Sequence, residues 1–278
     1  MKVAIYDSGV GGLSILRALA DRMPQSQYIF VSDNAGYPYG TKSEDELLNR
    51  CQKVAYSIVT KYQPDVLIIA CNTASTVCLP VLRSNHQLPI VGVVPAIKPA
   101  AATSKSKVIG LLATPATISR SYTEGLIEEF AHDCVVIKVG SSDLVDLAEK
   151  KLKGLSVNLN ELETILTPFL LHESLDTLVL ACTHFPLLKN EIEAVLSRHA
   201  KSIMLIDSAD AIAKRVESLF SSYASPVSST HDDYLPTSFS EEQHLQSNLA
   251  VFTEEIGERG LIGNLKNYEL RRIETLSI

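Results

Sequence analysis

The side chains best suited to chemistry in this chain arrive as an echo. The run Asp65-Val66-Leu67-Ile68-Ile69-Ala70-Cys71-Asn72-Thr73 returns as Asp176-Thr177-Leu178-Val179-Leu180-Ala181-Cys182-Thr183-His184. Each is an unbroken apolar stretch of strand length that ends in Ala-Cys and passes into small polar residues fit to open a helix, the pattern of a buried parallel strand reaching a functional edge. A lone Cys in such a place is usually a small buried hydrophobe. Repetition changes the weighting, because equivalent elements 111 residues apart (182 − 71) each deliver one thiol. Cys51, Cys78 and Cys134 lack this setting and read as structural.

Two thiols on opposite walls of one cleft could form a disulfide, bind a metal, or act as proton donor and acceptor across a carbon. Redox pairs usually sit close in sequence, and a metal would need more ligands than His184 adds. The remaining option takes a proton from one face of a carbon with a thiolate and returns one to the other face from a thiol, which inverts a stereocentre. A helix start after each Cys is expected to lower the thiol pKa from about 8.5. Each thiol also has a titratable neighbour, Asp7 at a strand end for the first and His184 for the second.

The elements that must position these groups alternate strand with helix. Lys2 to Tyr6 runs into the turn Asp7-Ser8-Gly9-Val10-Gly11-Gly12 and then a helix; Tyr28 to Val31 is a second strand. Ser43 and Glu46 have the form of a capping box that opens a helix to about Tyr62. The first Cys strand, a helix from about Thr73 and the strand Ile90 to Val94 complete the half. Pro95 to Ser106 reads as a loop and a domain crossing. Beyond it Lys107 to Leu112, Cys134 to Val139, the second Cys strand and Ser202 to Ile206 repeat the order, an internal duplication. The expected fold is α/β: two pseudo-symmetric α/β/α domains with mainly parallel sheets and the active site in the cleft between them, at the strand carboxyl ends that carry Asp7, Asp33, Cys71, Thr114 and Cys182. Residues 1–97 with 209–278 form the first domain and 98–208 the second. The helix from about Ala209 to Phe220 returns to the first; Ser221 to Ser240 reads as loop and Glu241 to Ile256 as weak helix.

At 278 residues, about two domains is the prior, and 46% hydrophobic with 21% charged residues describes an ordered globular protein. A formal charge of −7 without a Lys/Arg block argues against nucleic-acid or anionic-membrane partners. The five cysteines are scattered, no run approaches the roughly 20 apolar residues of a membrane span, and Met1 to Asp7 enters a strand directly. A cytoplasmic protein with reduced thiols is the expectation.

The segments Asp7-Ser8-Gly9-Val10-Gly11-Gly12-Leu13, Pro38-Tyr39-Gly40, Ala70-Cys71-Asn72-Thr73-Ala74-Ser75, Ala113-Thr114-Pro115-Ala116-Thr117 and Ala181-Cys182-Thr183-His184-Phe185-Pro186-Leu187 resemble the signature segments of glutamate racemase, within the aspartate/glutamate racemase superfamily. The resemblance spans roughly residues 1 to 212. It implies cofactor-independent interconversion of L- and D-glutamate, with no metal, the D form feeding peptidoglycan synthesis. By the same token Cys71 deprotonates D-glutamate and Cys182 deprotonates L-glutamate, Asp7 and His184 assist them, and the protein is a homodimer. No Arg or Lys lies within these motifs, so the dicarboxylate would be held by backbone N–H groups at helix starts and by the hydroxyls of Ser8, Thr73, Thr114, Thr117 and Thr183. Tyr39 and Gly40 would contribute backbone contacts, and the amino group would meet Asp7 or Asn72. The stretch Gly140 to Glu149 resembles the family's region bearing an acidic residue, without a Pro that members often carry, and marks Glu149 as a further candidate.

Other chemistries compete. A racemase of aspartate or a related amino acid would use the same mechanism. A dinucleotide-binding oxidoreductase would explain Gly9 to Ser14 after a strand and Asp33 at the end of the next, though Ser14 replaces the third glycine. A two-lobed amino-acid binder would share the architecture. Neither of the last two accounts for the paired thiols.

Overall fold

Strand-length apolar runs separated by amphipathic stretches favour parallel strands joined by crossover helices, and the computed structural model, which describes residues 1–221 and 248–278, is built that way. The first half runs β1 (Lys2–Asp7), α1 (Leu13–Arg22), β2 (Gln27–Ser32), α2 (Glu44–Tyr62), β3 (Val66–Ile69), α3 (Asn72–Asn85) and β4 (Ile90–Gly92). After α4 (Ile97–Thr103) come β5 (Val108–Ala113), α5 (Pro115–Ile118), α6 (Ser121–Phe130), β6 (Val135–Gly140), α7 (Asp143–Leu152), α8 (Leu159–Leu170), β7 (Thr177–Leu180), α9 (Lys189–Arg198) and β8 (Met204–Ile206). The described part of the chain finishes with α10 (Ala209–Ser221), β9 (Leu249–Phe252), α11 (Arg259–Leu265) and β10 (Arg272–Thr275).

Two sheets result, ordered β10-β9-β2-β1-β3-β4 and β6-β5-β7-β8, with their neighbours parallel. The inner order β2-β1-β3-β4 has the same succession as β6-β5-β7-β8, so the sequence repeat is a repeat of topology and β3 corresponds to β7. Alternation along β3 sends Val66, Ile68 and Ala70 to a core shared with α1 and α10, and Leu67, Ile69 and Cys71 to one shared with α2 and α3. Along β7, Leu178, Leu180 and Cys182 join the core under α8 and α9, while Val179 and Ala181 face α4 and α6. Each Cys is thus fixed in direction by the pleat of its strand. Ala209, Ile212, Ala213 and Val216 bring α10 back onto the first sheet.

The capping box forms at Ser43 and Glu46, and α2 ends at Tyr62 as its pattern indicates. Three segments differ from their sequence reading. Pro95 to Ser106 contains α4: Pro99 falls in the first turn, where its missing N–H costs nothing, and Ala100 to Ala102 are the best helix formers. Leu249–Phe252, read as part of a weak helix, is a fully buried strand, because the open edge of β2 offers it backbone partners that outweigh local propensity. β10, for which the sequence carries no clear pattern, is a mostly exposed edge strand with charged side chains, the usual protection of an open edge. The remaining loop and helix expectations between Ser221 and Asn248 fall largely on 222–247, outside the described residues.

Candidate active site

The first wall of the site is made where β1 and β3 end. Cys71 immediately precedes α3, where the nearby Ala74 backbone N–H favours its thiolate. Ser8 Oγ lies 3.9 Å from Cys71 Sγ and 3.4 Å from Asp7 Oδ1, so the hydroxyl stands between thiol and carboxylate. Asp7 is fully buried. Burial pushes its carboxyl above the usual range, against the opposing pull of His184 and of hydrogen bonds from Thr183 and Ser8. Burial and then the Asp7 charge also drive the Cys71 thiol well above its ordinary value. The expectation of a lowered pKa is therefore corrected for Cys71: the Ala74 N–H pulls the right way, but desolvation of the strand end outweighs it.

The second wall is built differently. Cys182, Thr183 and His184 lead into a 3-10 turn at Phe185–Leu188 before α9, so no α-helix opens directly on this sulfur. Its partner is a side chain instead. His184 Nδ1 lies 3.8 Å from Cys182 Sγ and Nε2 lies 2.8 Å from Glu149 Oε1, which also accepts from the Val10 N–H at 2.8 Å. Burial by itself would lower the imidazole pKa; the Cys182 sulfur and the Glu149 carboxylate outweigh it and hold His184 well above its ordinary value. Glu149 is pushed up by burial and brought net below its ordinary value by His184. A cationic imidazole between a sulfur and a carboxylate can stabilise a thiolate or resupply its proton.

The glycine turn brings the walls together. A Cβ on Gly9 would stand 2.2 Å from Glu149 Oε1, and one on Gly11 would stand 2.5 Å from His184 Nδ1 and 2.6 Å from Thr183 Oγ1. The space that a dinucleotide phosphate would need above this turn is filled by the Cys182 loop, and Asp33 spends its carboxylate on Tyr39, Arg50 and Thr253 rather than a ribose. The oxidoreductase reading fails on that packing. Thr183 Oγ1 donates to Asp7 Oδ2 (3.0 Å), Ser14 Oγ donates to the Thr183 carbonyl (2.9 Å), and the hydroxyls of Thr73, Thr114 and Thr117 lie 3.0 to 3.4 Å apart across the opposite side.

Between the walls lies a cavity of about 190 Å³. That is below the roughly 300–1,000 Å³ of drug-sized pockets and suits a small substrate. Both thiols line it, with Ser8, Tyr39, Gly40, Asn72, Thr73, Thr114, Thr183 and His184. Asp7 and Thr117 do not; each is fully buried one layer behind, bonded to residues that do. The Asn72 side-chain N–H₂ is buried without a protein partner. Sequence reasoning missed Tyr37, Thr41, Ser142, Val145 and Asp146, which also line the cavity. A signal for three of them was present: Ser142, Val145, Asp146 and Glu149 are spaced i, i+3, i+4, i+7, one face of α7 together with its N-cap residue Ser142. Among the described residues no cluster of three His, Cys, Asp or Glu side chains is arranged to hold a metal, and no helix is long and apolar enough to cross a membrane.

Comparison with known proteins finds relatives over most of the chain. A family profile described as Asp/Glu/Hydantoin racemase matches residues 13–216. The glutamate racemase of Shewanella denitrificans is 50% identical over 217 residues, 78% of this chain and 77% of the relative. That of Actinobacillus pleuropneumoniae serotype 7 is 39% identical over 99% of this chain and 97% of the relative. The crystal structure of Escherichia coli glutamate racemase in complex with L-glutamate and the activator UDP-MurNAc-Ala superposes with a TM-score of 0.87 at 39% identity, covering 99% of this chain and 98% of that one.

Proposed function

The chain belongs to the Asp/Glu/Hydantoin racemase family and groups with the glutamate racemases, which makes it an isomerase, and from that premise we propose that it inverts glutamate by a two-cysteine proton transfer without a cofactor. The observation that carries the reading is the pair of thiols, one from each sheet, lining a single small cavity. The Cys71 thiolate takes the Cα proton of D-glutamate; the planar carbanion is reprotonated on its other face by the Cys182 thiol, giving L-glutamate. The reverse reaction exchanges the roles. Burial makes the Cys71 thiolate scarce but strongly basic. Asp7, through Ser8, assists the first sulfur as proton acceptor. His184, held by Glu149, assists the second as donor.

Charge on the substrate is met mainly by neutral donors. The unpartnered Asn72 amide N–H₂ suits a carboxylate better than the ammonium group, and Ser8, Thr73, Thr114, Thr183 and the Tyr39–Gly40 backbone supply further contacts, with Thr117 bracing Thr73 and Thr114. We assign residues 1–97 with 209–278 and residues 98–208 to the two domains that close on the substrate. We further assign D-glutamate to peptidoglycan synthesis, in keeping with the muramyl nucleotide that activates the Escherichia coli enzyme, and expect a cytoplasmic homodimer, which light scattering tests. The deciding experiment incubates purified protein with each enantiomer of glutamate and of aspartate in D2O without added cofactor. Inversion of glutamate with deuterium entering at Cα is expected. Binding without exchange sinks the reading, and preferential inversion of aspartate redirects it.

A further inference from the structure

Asp33 was singled out by its place at a strand end, and the mechanism above leaves it unused. It is fully buried beside the segment that lines the cavity, and its carboxylate is saturated. Oδ2 accepts from Tyr39 OH at 2.5 Å and Arg50 Nε at 2.8 Å; Oδ1 accepts from Arg50 Nη2 at 2.5 Å and Thr253 Oγ1 at 2.6 Å. The donors come from three places: the cavity-lining turn, α2, and the residue that follows β9. The Tyr39 hydroxyl also contacts the Tyr6 hydroxyl beneath the sheet end, and the two rings meet edge to face with centroids 6.3 Å apart.

We propose that this buried network positions the substrate-facing segment Pro38–Thr41, with Arg50 and Thr253 acting as positioning residues through Asp33 and the Tyr39 hydroxyl. Between β2 and α2 the chain has only two single 3-10 turns, Asn34–Gly36 and Tyr39–Thr41, so no sheet or helix ladder fixes where the Tyr39–Gly40 backbone stands. Side-chain bonds to one carboxylate do so. Gly36 is pressed against that carboxylate, since a Cβ there would lie 2.3 Å from Asp33 Oδ2 and 3.1 Å from the Tyr39 ring. The Arg50 fork is bidentate and charge-assisted, which fixes orientation as well as distance. Thr253 Oγ1 also accepts from the Ala35 N–H at 3.1 Å, so the residue after β9 grips the turn at two points. Positioning of this kind is what holds a binding constellation within the tolerance that function needs.

The inference rests on reading this cavity as the glutamate site. The test compares wild type with Thr253→Val, Thr253→Ser and Tyr39→Phe, measuring KM and kcat for both enantiomers together with Tm. Thr253→Val and Tyr39→Phe each delete one hydroxyl and leave the Asp33–Arg50 pair in place, so both variants are expected to fold. A KM raised about tenfold for both enantiomers, the weight of one hydrogen bond to a charged group, is expected in each, with kcat within threefold of wild type. Thr253→Ser restores the hydroxyl and the wild-type KM. If Thr253→Val and Tyr39→Phe lower Tm but keep the wild-type KM, or lose kcat alone, the network is only structural and the proposal is overturned. A wild-type protein that inverts no glutamate overturns the functional reading and this inference with it.

Discussion

Cys71 and Cys182 end equivalent strands of equivalent sheets, yet their surroundings have opposite charge. The first has the Asp7 carboxylate behind Ser8 and a helix start beneath it; the second has a cationic His184 locked to Glu149 and a 3-10 turn. Duplication of the fold accounts for where the sulfurs sit. Divergence of the side chains accounts for what each can do, since a neighbouring anion favours taking a proton through a base and a neighbouring imidazolium favours supplying one. The halves also depend on each other: Glu149 accepts from Val10 of the first, and Asp7 accepts from Thr183 of the second.

The largest effect expected from breaking this pairing is loss of inversion on removing either sulfur. Cys71→Ala and Cys182→Ala should each lower the rate by more than about 10³-fold, within the range positioned proton-transfer groups contribute. The residual exchange sharpens the comparison. With Cys182 alone, deuterium should enter L-glutamate with retention; with Cys71 alone it should enter D-glutamate. Inversion by either variant within about 10³-fold of the wild-type rate, followed by polarimetry, removes the two-wall account.

Glu149→Gln comes next. It leaves His184 without its carboxylate and should cost about 10²-fold in kcat/KM, the lower end of such contributions. Because enantiomers have an equilibrium constant of one, kcat/KM must fall equally in both directions. Asymmetry therefore has to be read from isotope effects: substrate deuterated at Cα should show the larger increase when L-glutamate is the reactant, the side on which the proposed mechanism makes Cys182 the base. An equal increase from both enantiomers would mean that Glu149 serves both sulfurs alike.

Asp7→Asn separates activity from stability. The raised carboxyl of Asp7 means that folding disfavours its charged form, a cost absent below about pH 3.8 and present above its folded pKa. An amide keeps the acceptor for the Ser8 N–H and removes the charge. At neutral pH the variant should melt higher, by about 2 °C for each kcal/mol relieved, while losing roughly tenfold in kcat. A lower Tm would show that the Asp7 charge stabilises the fold after all.

Much of this was legible because the signals were local. Apolar runs ending in Ala-Cys located both thiols, and Ser43 with Glu46 set the start of α2. What was not legible depended on chain meeting chain. Leu249–Phe252 is a strand only because β2 has an open edge, and Asp33 looked like a ribose ligand because nothing near it in sequence reveals Thr253, 220 residues away. The thiol pKa misled for a similar reason, since a helix start is visible in sequence and the depth of burial that overrides it is not. Gly9 and Gly11 are the clearest case. Their spacing fits a phosphate loop, and only the packing shows that the absent side chains make room for Glu149 and His184.

The smallest effect tests whether the second wall is an ion pair at all. His184 is raised above its ordinary 6.5, so the stability it contributes is fully present below that value and is lost as pH rises through its folded pKa. Glu149 is lowered from 4.5, so its contribution is present above that value and is lost as pH falls through its folded pKa. Both contributions are complete together only between about pH 4.5 and 6.5. The Tm difference between wild type and Glu149→Gln should be widest in that window, a few degrees at about 2 °C per kcal/mol, and should narrow toward alkaline and toward strongly acid pH. The Asp7 wall provides the contrast, because the Tm advantage of Asp7→Asn should vanish in acid and persist at alkaline pH. If the Glu149→Gln difference keeps the same size from pH 4 to 9, His184 is neutral in the folded protein, and the two walls do not differ in charge as their geometry implies.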